Sequence, residues 1–595
     1  LINGFQKSQD QCGLDKEPWR QLATGTAKMT YKSERNPMFR SKFSEGIFEQ
    51  KYVHAGCETW AQLAHTLVED VCGPADGCPD GLLSRDERLL LAQYIHDLKF
   101  LPGGRYLYYA GRPRKFYSNC YLLRALEDTR EDWANLSWKA ERCLLTGGGV
   151  GIDYSVYRPS GRRLVSTGGV ASGPIPKMSM INEIGRSVIQ GGSRRSALYA
   201  SLDWRHDDIP HFLVFKNWHE IPVPGTKFTL ADVKEADFNW PAPLDITNTS
   251  VNYNTAWYLA CCQTNDPGEV FMANVRQAVS TGEPGFSFNF FDKENETLRN
   301  ACGEVCSQDD SDCCNLGSLN FGRIETLDEL YAVTVLATKF LVCGTLRAHL
   351  PYAQVYKVRE KNRRLGLGLM GLHEWLLKRG YRYEVPLELH TWLRVYQGVS
   401  NQTGDAFCDK LSISRPVAKR ACAPTGTIGI LAGTSTGIEP IYAVAYKRRY
   451  LRENAKWHYQ YVIDSAAQEL IDHYDLNPEM IESALDLASN YRRRIKFQVE
   501  IQSYVDQAIS STINLPRWGS RLNNLDTVKD FAATLAHYAP RLRGFTVYPD
   551  GARGGQPLTP VSYTEARENL GKVFEEAIAA HDVCSLTGHG GVCGV

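Results

Sequence analysis

The chain has 595 residues, 43% of them hydrophobic and 23% charged, which is the composition of a globular protein rather than of a disordered, collagen-like or coiled-coil one. Its 67 Lys and Arg balance its 67 Asp and Glu, so no polybasic field draws it to nucleic acid or to an anionic membrane surface. No run of about 18 apolar residues marks a transmembrane helix, and neither a membrane nor a direct nucleic-acid partner is expected.

The opening LINGFQKSQDQ lacks the basic and apolar blocks of a signal peptide and does not start with Met, so it reads as a fragment or a processed start. The expected location is cytoplasmic. Seventeen cysteines in a long chain without a secretory signal argue against a disulfide framework and for reduced thiols, any disulfide being catalytic. Residues 1–100 read as a helical N-terminal region: WAQLAHTLVEDVC and SRDERLLLAQYIHDLKFL carry apolar residues at helical spacing, with Ser84 as an N-cap.

From residue 101 to 562, apolar or β-rich runs (YLYYA, CYLL, GVGIDYS, SALYASL) alternate with helical stretches such as MSMINEIGRSVIQ. That alternation predicts an α/β domain with parallel strands. Gly and Pro clusters (LPGGR, TGGGVG, TGGVASGP, TGEPG, APTGTIG, PDGARGGQP) punctuate it, where backbone turns sharply or approaches a ligand. Residues 563–595 read as an amphipathic helix, TEARENLGKVFEEAIAAHD, followed by the Gly-rich tail VCSLTGHGGVCGV.

RNACGEVCSQDDSDCCNLGSLN is the most informative segment. In an extended strand or loop tip Asn300, Cys302 and Glu304 share one face, joining a nucleophilic or hydrogen-donating thiol, an amide and a carboxylate; alone, the pattern also fits a polar loop with a buried Cys. APTGTIGI offers Thr425, Gly426 and Thr427 at a loop-to-helix junction, where backbone N–H groups and hydroxyls bind phosphate, though a tight turn with Thr caps has the same composition. GLGLMG at 366–371 formally satisfies GxGxxG. However, KNRR precedes it in place of a hydrophobic strand and LMGLHEWLLKRG continues as a helix, so close helix packing is expected rather than a dinucleotide site. A nicotinamide dehydrogenase using that motif and a non-enzymatic nucleotide-binding regulator are the rival classes.

Taken together, PGGR with Cys120 behind it, TGGGVG, NACGEV, CCNLG, KNRRLGLGLMGLHEWL, APTGTIG with TGIEP, and TVYPDGARGGQPLTP resemble, in this order, the catalytic chain of ribonucleotide reductase, most closely its adenosylcobalamin-dependent class II form. The resemblance spans roughly residues 100–595. It implies a ten-stranded α/β barrel, made of two five-stranded parallel halves, with a central finger loop. It also implies conversion of ribonucleotides to 2′-deoxyribonucleotides by thiyl-radical chemistry. Cys302 would be the thiyl cysteine at the finger tip, Glu304 would take the 3′-hydroxyl proton and Asn300 would hydrogen-bond the substrate. Cys120 and Cys314 would supply two reducing equivalents and close into a disulfide, so their Cα atoms must come within about 4.4–6.8 Å. Cys313 competes with Cys314 for that role; Cys314 stands directly before Asn315-Leu316, and a strand neighbour points to the opposite face. All three sulfurs would gather in an enclosed pocket. Ala301 stands where family members often carry Pro.

By the same resemblance Cys584 and Cys593 shuttle reducing equivalents from a thioredoxin-like or glutaredoxin-like reductant. Asn119, Gly149 and the Thr425–Gly426–Thr427 loop would contact a ribonucleoside di- or triphosphate. A nucleotide allosteric effector is implied around INEIGRSVIQGGSRRS with Arg194 and Arg195, and a homodimer is compatible with the family. Adenosylcobalamin is the implied cofactor, with no metal held by protein side chains, because Tyr548 is followed by Pro549 instead of the tandem tyrosine of reductases that import their radical. A class I-like catalytic subunit needing a separate radical-generating protein is the alternative.

Overall fold

The computed structural model describes residues 39–75, 77–165, 168–188, 196–236, 240–451, 457–552 and 558–575. The shuttle cysteines Cys584 and Cys593, and Arg194 and Arg195 of the effector segment, lie outside these residues.

The first described elements are helices. Ser84 caps Arg85–His96 in a box with Glu87, and Thr59 does the same with Gln62 for Trp60–Cys72. Trp60–Cys72 buries Leu63, Leu67, Val68 and Val71 against the helix Leu327–Arg347. That 21-residue helix is long and apolar enough to cross a membrane, a span the composition did not lead one to expect; most of it is buried in the protein core.

Among the described residues, nine of the strands build the central ring. β1 (Cys120–Arg124), β2 (Gly149–Asp153), β3 (Leu198–Asp203), β4 (Thr247–Asn254) and β5 (Gly285–Asn289) pair in parallel in sequence order. Their near-continuous burial is what a parallel sheet covered on both faces requires. In the second half β6 (Leu316–Asn320) pairs in parallel with β7 (Gly366–Met370). β7 then bridges Arg420, Cys422 bridges Ile509, and β8 (Thr512–Leu515) pairs in parallel with β9 (Gly544–Pro549). The halves meet antiparallel at two seams: β5 with β9, and β1 with Asp312–Cys313, the run leading into β6. The pairings therefore form an unbroken ring, with residues 418–422 and 508–510 completing it through bridges and main-chain bonds.

Three expectations are corrected. YLYY is helical, within Gly104–Tyr109, because its tyrosines pack at helical rather than alternating spacing. GLGLM is a barrel strand, and its glycines serve close strand approach: a Cβ at Gly366 would strike Leu316, and one at Gly368 the Ala421 carbonyl. The last helix ends at Glu568, because the chain turns at Gly571 (φ +80°) and Val573–Glu575 pairs with His458–Gln460.

Candidate active site

The finger loop is a short hairpin. Leu298–Arg299 pairs antiparallel with Cys306–Ser307, and the chain reverses through Ala301–Gly303, closed by a bond from the Gly303 N–H to the Asn300 carbonyl (3.0 Å). Gly303 takes φ +83°, which only glycine adopts without strain. The tip is therefore a turn, and the alternating-face expectation fails: Asn300 and Glu304 are buried while Cys302 is exposed.

Two glycines of TGGGVG make room for this hairpin. A Cβ on Gly151 would lie 1.8 Å from the Arg299 carbonyl, and one on Gly149 would lie 2.9 Å from Ala301 Cβ and 3.3 Å from Cys120 Sγ. Gly149 thus lies against the finger and the Cys120 thiol. Asn119 is half-buried, and its carbonyl receives the Gly149 N–H (2.8 Å).

Cys120 and Cys314 come together across the first seam. The register pairs Tyr121 with Cys313 and Leu122 with Asp312, which sets Cys120 opposite Cys314, where antiparallel Cα atoms lie about 4.5–5.5 Å apart. The Cys120 N–H donates to Cys314 Sγ (2.9 Å), and the Cys314 N–H to the Cys120 carbonyl (3.0 Å). Both are free thiols in one apolar cluster with Ala301, Val305 and Leu298 of the finger. Burial, reinforced by Cys120 and then Glu304, raises the Cys314 pKa well above that of an ordinary thiol, so it keeps its hydrogen. Cys313 faces the other way, into the outer core beside Ser118, and burial pushes it up to about 12.

Glu304 sits among these sulfurs. Burial, and then the Cys120 thiol, raise its pKa to about 8, with its own backbone N–H and the Asn300 amide offsetting part of the rise. The Asn300 Nδ2 is near enough to steady the carboxylate but makes no well-aligned hydrogen bond, and Glu304 Oε2 makes none either, although both are buried, whereas Asn300 Oδ1 accepts the Val305 N–H (3.0 Å). An acceptor and a donor left unpaired in a buried site match one hydroxyl group.

Cys302 departs from the expected enclosure. It is exposed, on a cleft of about 300 Å³ with Tyr199, Asn248, Ser510, Thr546 and Tyr548, although the adjacent Ala301 packs in the cluster with Cys120 and Cys314. Asn248 fixes the tip by donating to the Ala301 carbonyl (3.1 Å). Pro424 lines the same cleft, and Thr425–Gly426–Thr427 follow it at the start of the helix Gly426–Ala432. Thr425 is left-handed (φ +53°), and its hydroxyl receives the Gly437 N–H (2.7 Å). Lys51, from the helix Lys42–Lys51, reaches Thr427 Oγ1 at 3.5 Å. Neither Lys51 nor Asn248 was visible in sequence, because each acts through a contact with a remote segment and belongs to no local pattern.

A family model described as the ribonucleotide reductase barrel domain matches residues 118–390 and 417–548. A Mycobacterium tuberculosis protein named vitamin B12-dependent ribonucleoside-diphosphate reductase is 28% identical over 516 residues, covering 79% of this chain and 72% of that one. One of the same name from Thermoplasma acidophilum is 26% identical, over 78% and 66%. Among solved structures, a B12-dependent class II ribonucleotide reductase superposes with TM-score 0.65 at 15% identity, covering 89% of this chain and 94% of that one. The Actinobacillus ureae class Id reductase α subunit gives the same score at 14%, covering 86% and 97%.

Proposed function

Since the chain belongs to the ribonucleotide reductase family, we propose that it is an adenosylcobalamin-dependent reductase whose reaction runs on Cys302, Glu304, Asn300, Cys120 and Cys314. The observation that carries this reading is the meeting of two buried thiols with an unpaired carboxyl oxygen and an unpaired amide nitrogen, in a cluster that includes Ala301 beside the exposed Cys302.

The cofactor reading fits the site: the cleft at Cys302 is large enough for a nucleoside-sized group and open outward, and Tyr548 on its wall has no tandem tyrosine beside it. When bound, adenosylcobalamin supplies a carbon radical able to take a hydrogen atom from a thiol. Cys302, as a thiyl radical, abstracts the ribose 3′-hydrogen. Glu304 accepts the 3′-hydroxyl proton while Asn300 Nδ2 holds the substrate. The 2′-hydroxyl leaves as water, Cys120 and Cys314 deliver two electrons and two protons and become one disulfide, and Cys302 returns the hydrogen to C3′. Thr425, Gly426 and Thr427 take the substrate phosphates, with Asn119 and Gly149 at the sugar end. Cys584 and Cys593 reopen the disulfide and pass it to a thioredoxin-like or glutaredoxin-like protein, and a nucleotide effector and a second copy of the chain complete the assembly.

An anaerobic assay of the four ribonucleotides, as diphosphates and as triphosphates, with a dithiol and with or without adenosylcobalamin, tests this. Deoxynucleotide formed by the purified chain only when the cofactor is present supports it. Turnover only after addition of a separate radical-generating protein favours the class I-like reading, to which the class Id structural likeness corresponds.

A further inference from the structure

The finger hairpin has only two paired residues in each arm, too few to hold a shape unaided. One arm is stapled by Arg299, which is 2% exposed: its guanidinium donates to the carbonyls of Glu296 (2.5 Å) and Arg543 (3.1 Å) and to Asn289 Oδ1 (2.7 Å). The other arm ends in Ser307, fully buried, whose hydroxyl donates to Asp312 Oδ2 at 2.7 Å.

Asp312 is the hub. Its Oδ2 also receives Asn362 Nδ2 (2.9 Å) and Arg364 Nε (3.0 Å), and its Oδ1 receives the Cys313 N–H (2.9 Å). Its backbone pairs with Leu122 on β1, two residues from Cys120, and it stands two residues before Cys314. One buried carboxylate thus joins the arm of the Cys302 loop, the strand of Cys314 and the KNRR turn that leads into β7.

We infer that Ser307, Asp312 and Arg364 form a clamp that sets the position of the Cys302–Glu304 loop against the Cys120–Cys314 pair. They are positioning residues, and the inference rests on the reduction proposed above. The burial of a carboxylate with both oxygens paired, against a guanidinium that reaches it through Nε, supports a registration role: such pairs add little net stability, but they fix geometry, and misplacing a reacting group by about 1 Å costs on the order of a hundredfold in rate.

The test is Ser307→Ala, which removes the bond to Asp312 together with the contacts the hydroxyl accepts from the Asp309 N–H (3.1 Å) and Arg364 Nη2 (3.5 Å), and leaves the Arg364 Nε bond to Asp312 in place. We expect kcat to fall about tenfold with KM within about twofold, because the loop is displaced while the phosphate loop is untouched, and Ser307→Thr, which restores the hydroxyl, to recover most of it. Amide hydrogen exchange, read without substrate, should speed up about tenfold at Gly303 and Val305 and stay unchanged in β2; Asp312→Asn should do the same. Unchanged exchange at both amides overturns the clamp, and faster exchange with full kcat overturns its positioning role. Wild-type protein that reduces no ribonucleotide sinks the proposed function, while the exchange data still decide the clamp.

Discussion

Glu304 carries the clearest pH signature. Its pKa of about 8 in the folded protein, set by burial and then by Cys120, lies above that of an exposed carboxyl, so it is neutral in the resting site and must ionise to accept a proton. The kcat/KM of the free enzyme should therefore rise with pH through about 8 and level off, and Glu304→Gln should be slow and flat over that range. The stability effect has the opposite sense. The unfolded chain loses this proton near pH 4.5 and the folded protein near 8, so stability falls across that window. Glu304→Gln should accordingly raise the melting temperature at pH 8, by on the order of a few kcal/mol of stability, and make no difference at pH 4; a variant less stable at pH 8 contradicts the assignment. Cys302, Glu304 and Asn300 stood out in sequence because a thiol, a carboxylate and an amide fell at alternate positions. Their division into one exposed and two buried side chains was not legible, because it depends on a turn closed at Gly303 and on neighbours far away in the chain.

Among the elements, β2 is shaped for the loop it faces. A methyl group at Gly151 would collide with the Arg299 carbonyl, where the obstacle is backbone and cannot rotate away. Gly151→Ala should cost about 1–3 kcal/mol by overpacking, read as a lowered denaturation midpoint, and should push the finger out of place, with activity falling more than the melting point. Activity equal to wild type in a folded Gly151→Ala protein refutes this role. TGGGVG was legible as a place of close approach, but that Gly149 and Gly151 make room for another part of the chain was not. GLGLMG misled for a related reason. The basic residues before it stood in place of a strand and helix packing was expected, whereas Arg363 and Arg364 are buried, with Arg364 paired to Asp312, and the run behind them is a barrel stave.

Across the whole molecule, the N-terminal helices are tied to the second half of the barrel by a buried charge cluster. Arg40 pairs with Glu374 (2.7 Å) and donates to the Gly433 carbonyl (2.7 Å) at the end of the helix Gly426–Ala432, while Lys378 pairs with Glu374 (2.8 Å). Burial alone would raise the Glu374 pKa, but Arg40 and then Lys378 outweigh it and hold it at about 2. Its contribution to stability is present above the unfolded carboxyl pKa of about 4.5 and is lost as pH falls toward 2. Arg40→Ala should therefore destabilise the protein by about 3–5 kcal/mol at neutral pH, a gap that closes in acid; equal melting curves at pH 7 count against it. The alternation of strand and helix gave away an α/β domain with parallel strands, and the family resemblance implied the barrel, but this tie joins residues 334 apart in sequence, a distance no periodicity spans.

The two antiparallel seams stand diametrically across the ring. Cys120 and Cys314 occupy one, deep inside, and the cleft of Cys302 opens along the other, between β5 and β9. On the reduction proposed above, the hydrogen-atom step would therefore begin at an open cleft and the dithiol step at a buried seam. An alkylating reagent added briefly to the native protein should mark Cys302 by mass spectrometry while sparing Cys120 and Cys314, leaving a chain whose dithiol can still be oxidised and reopened.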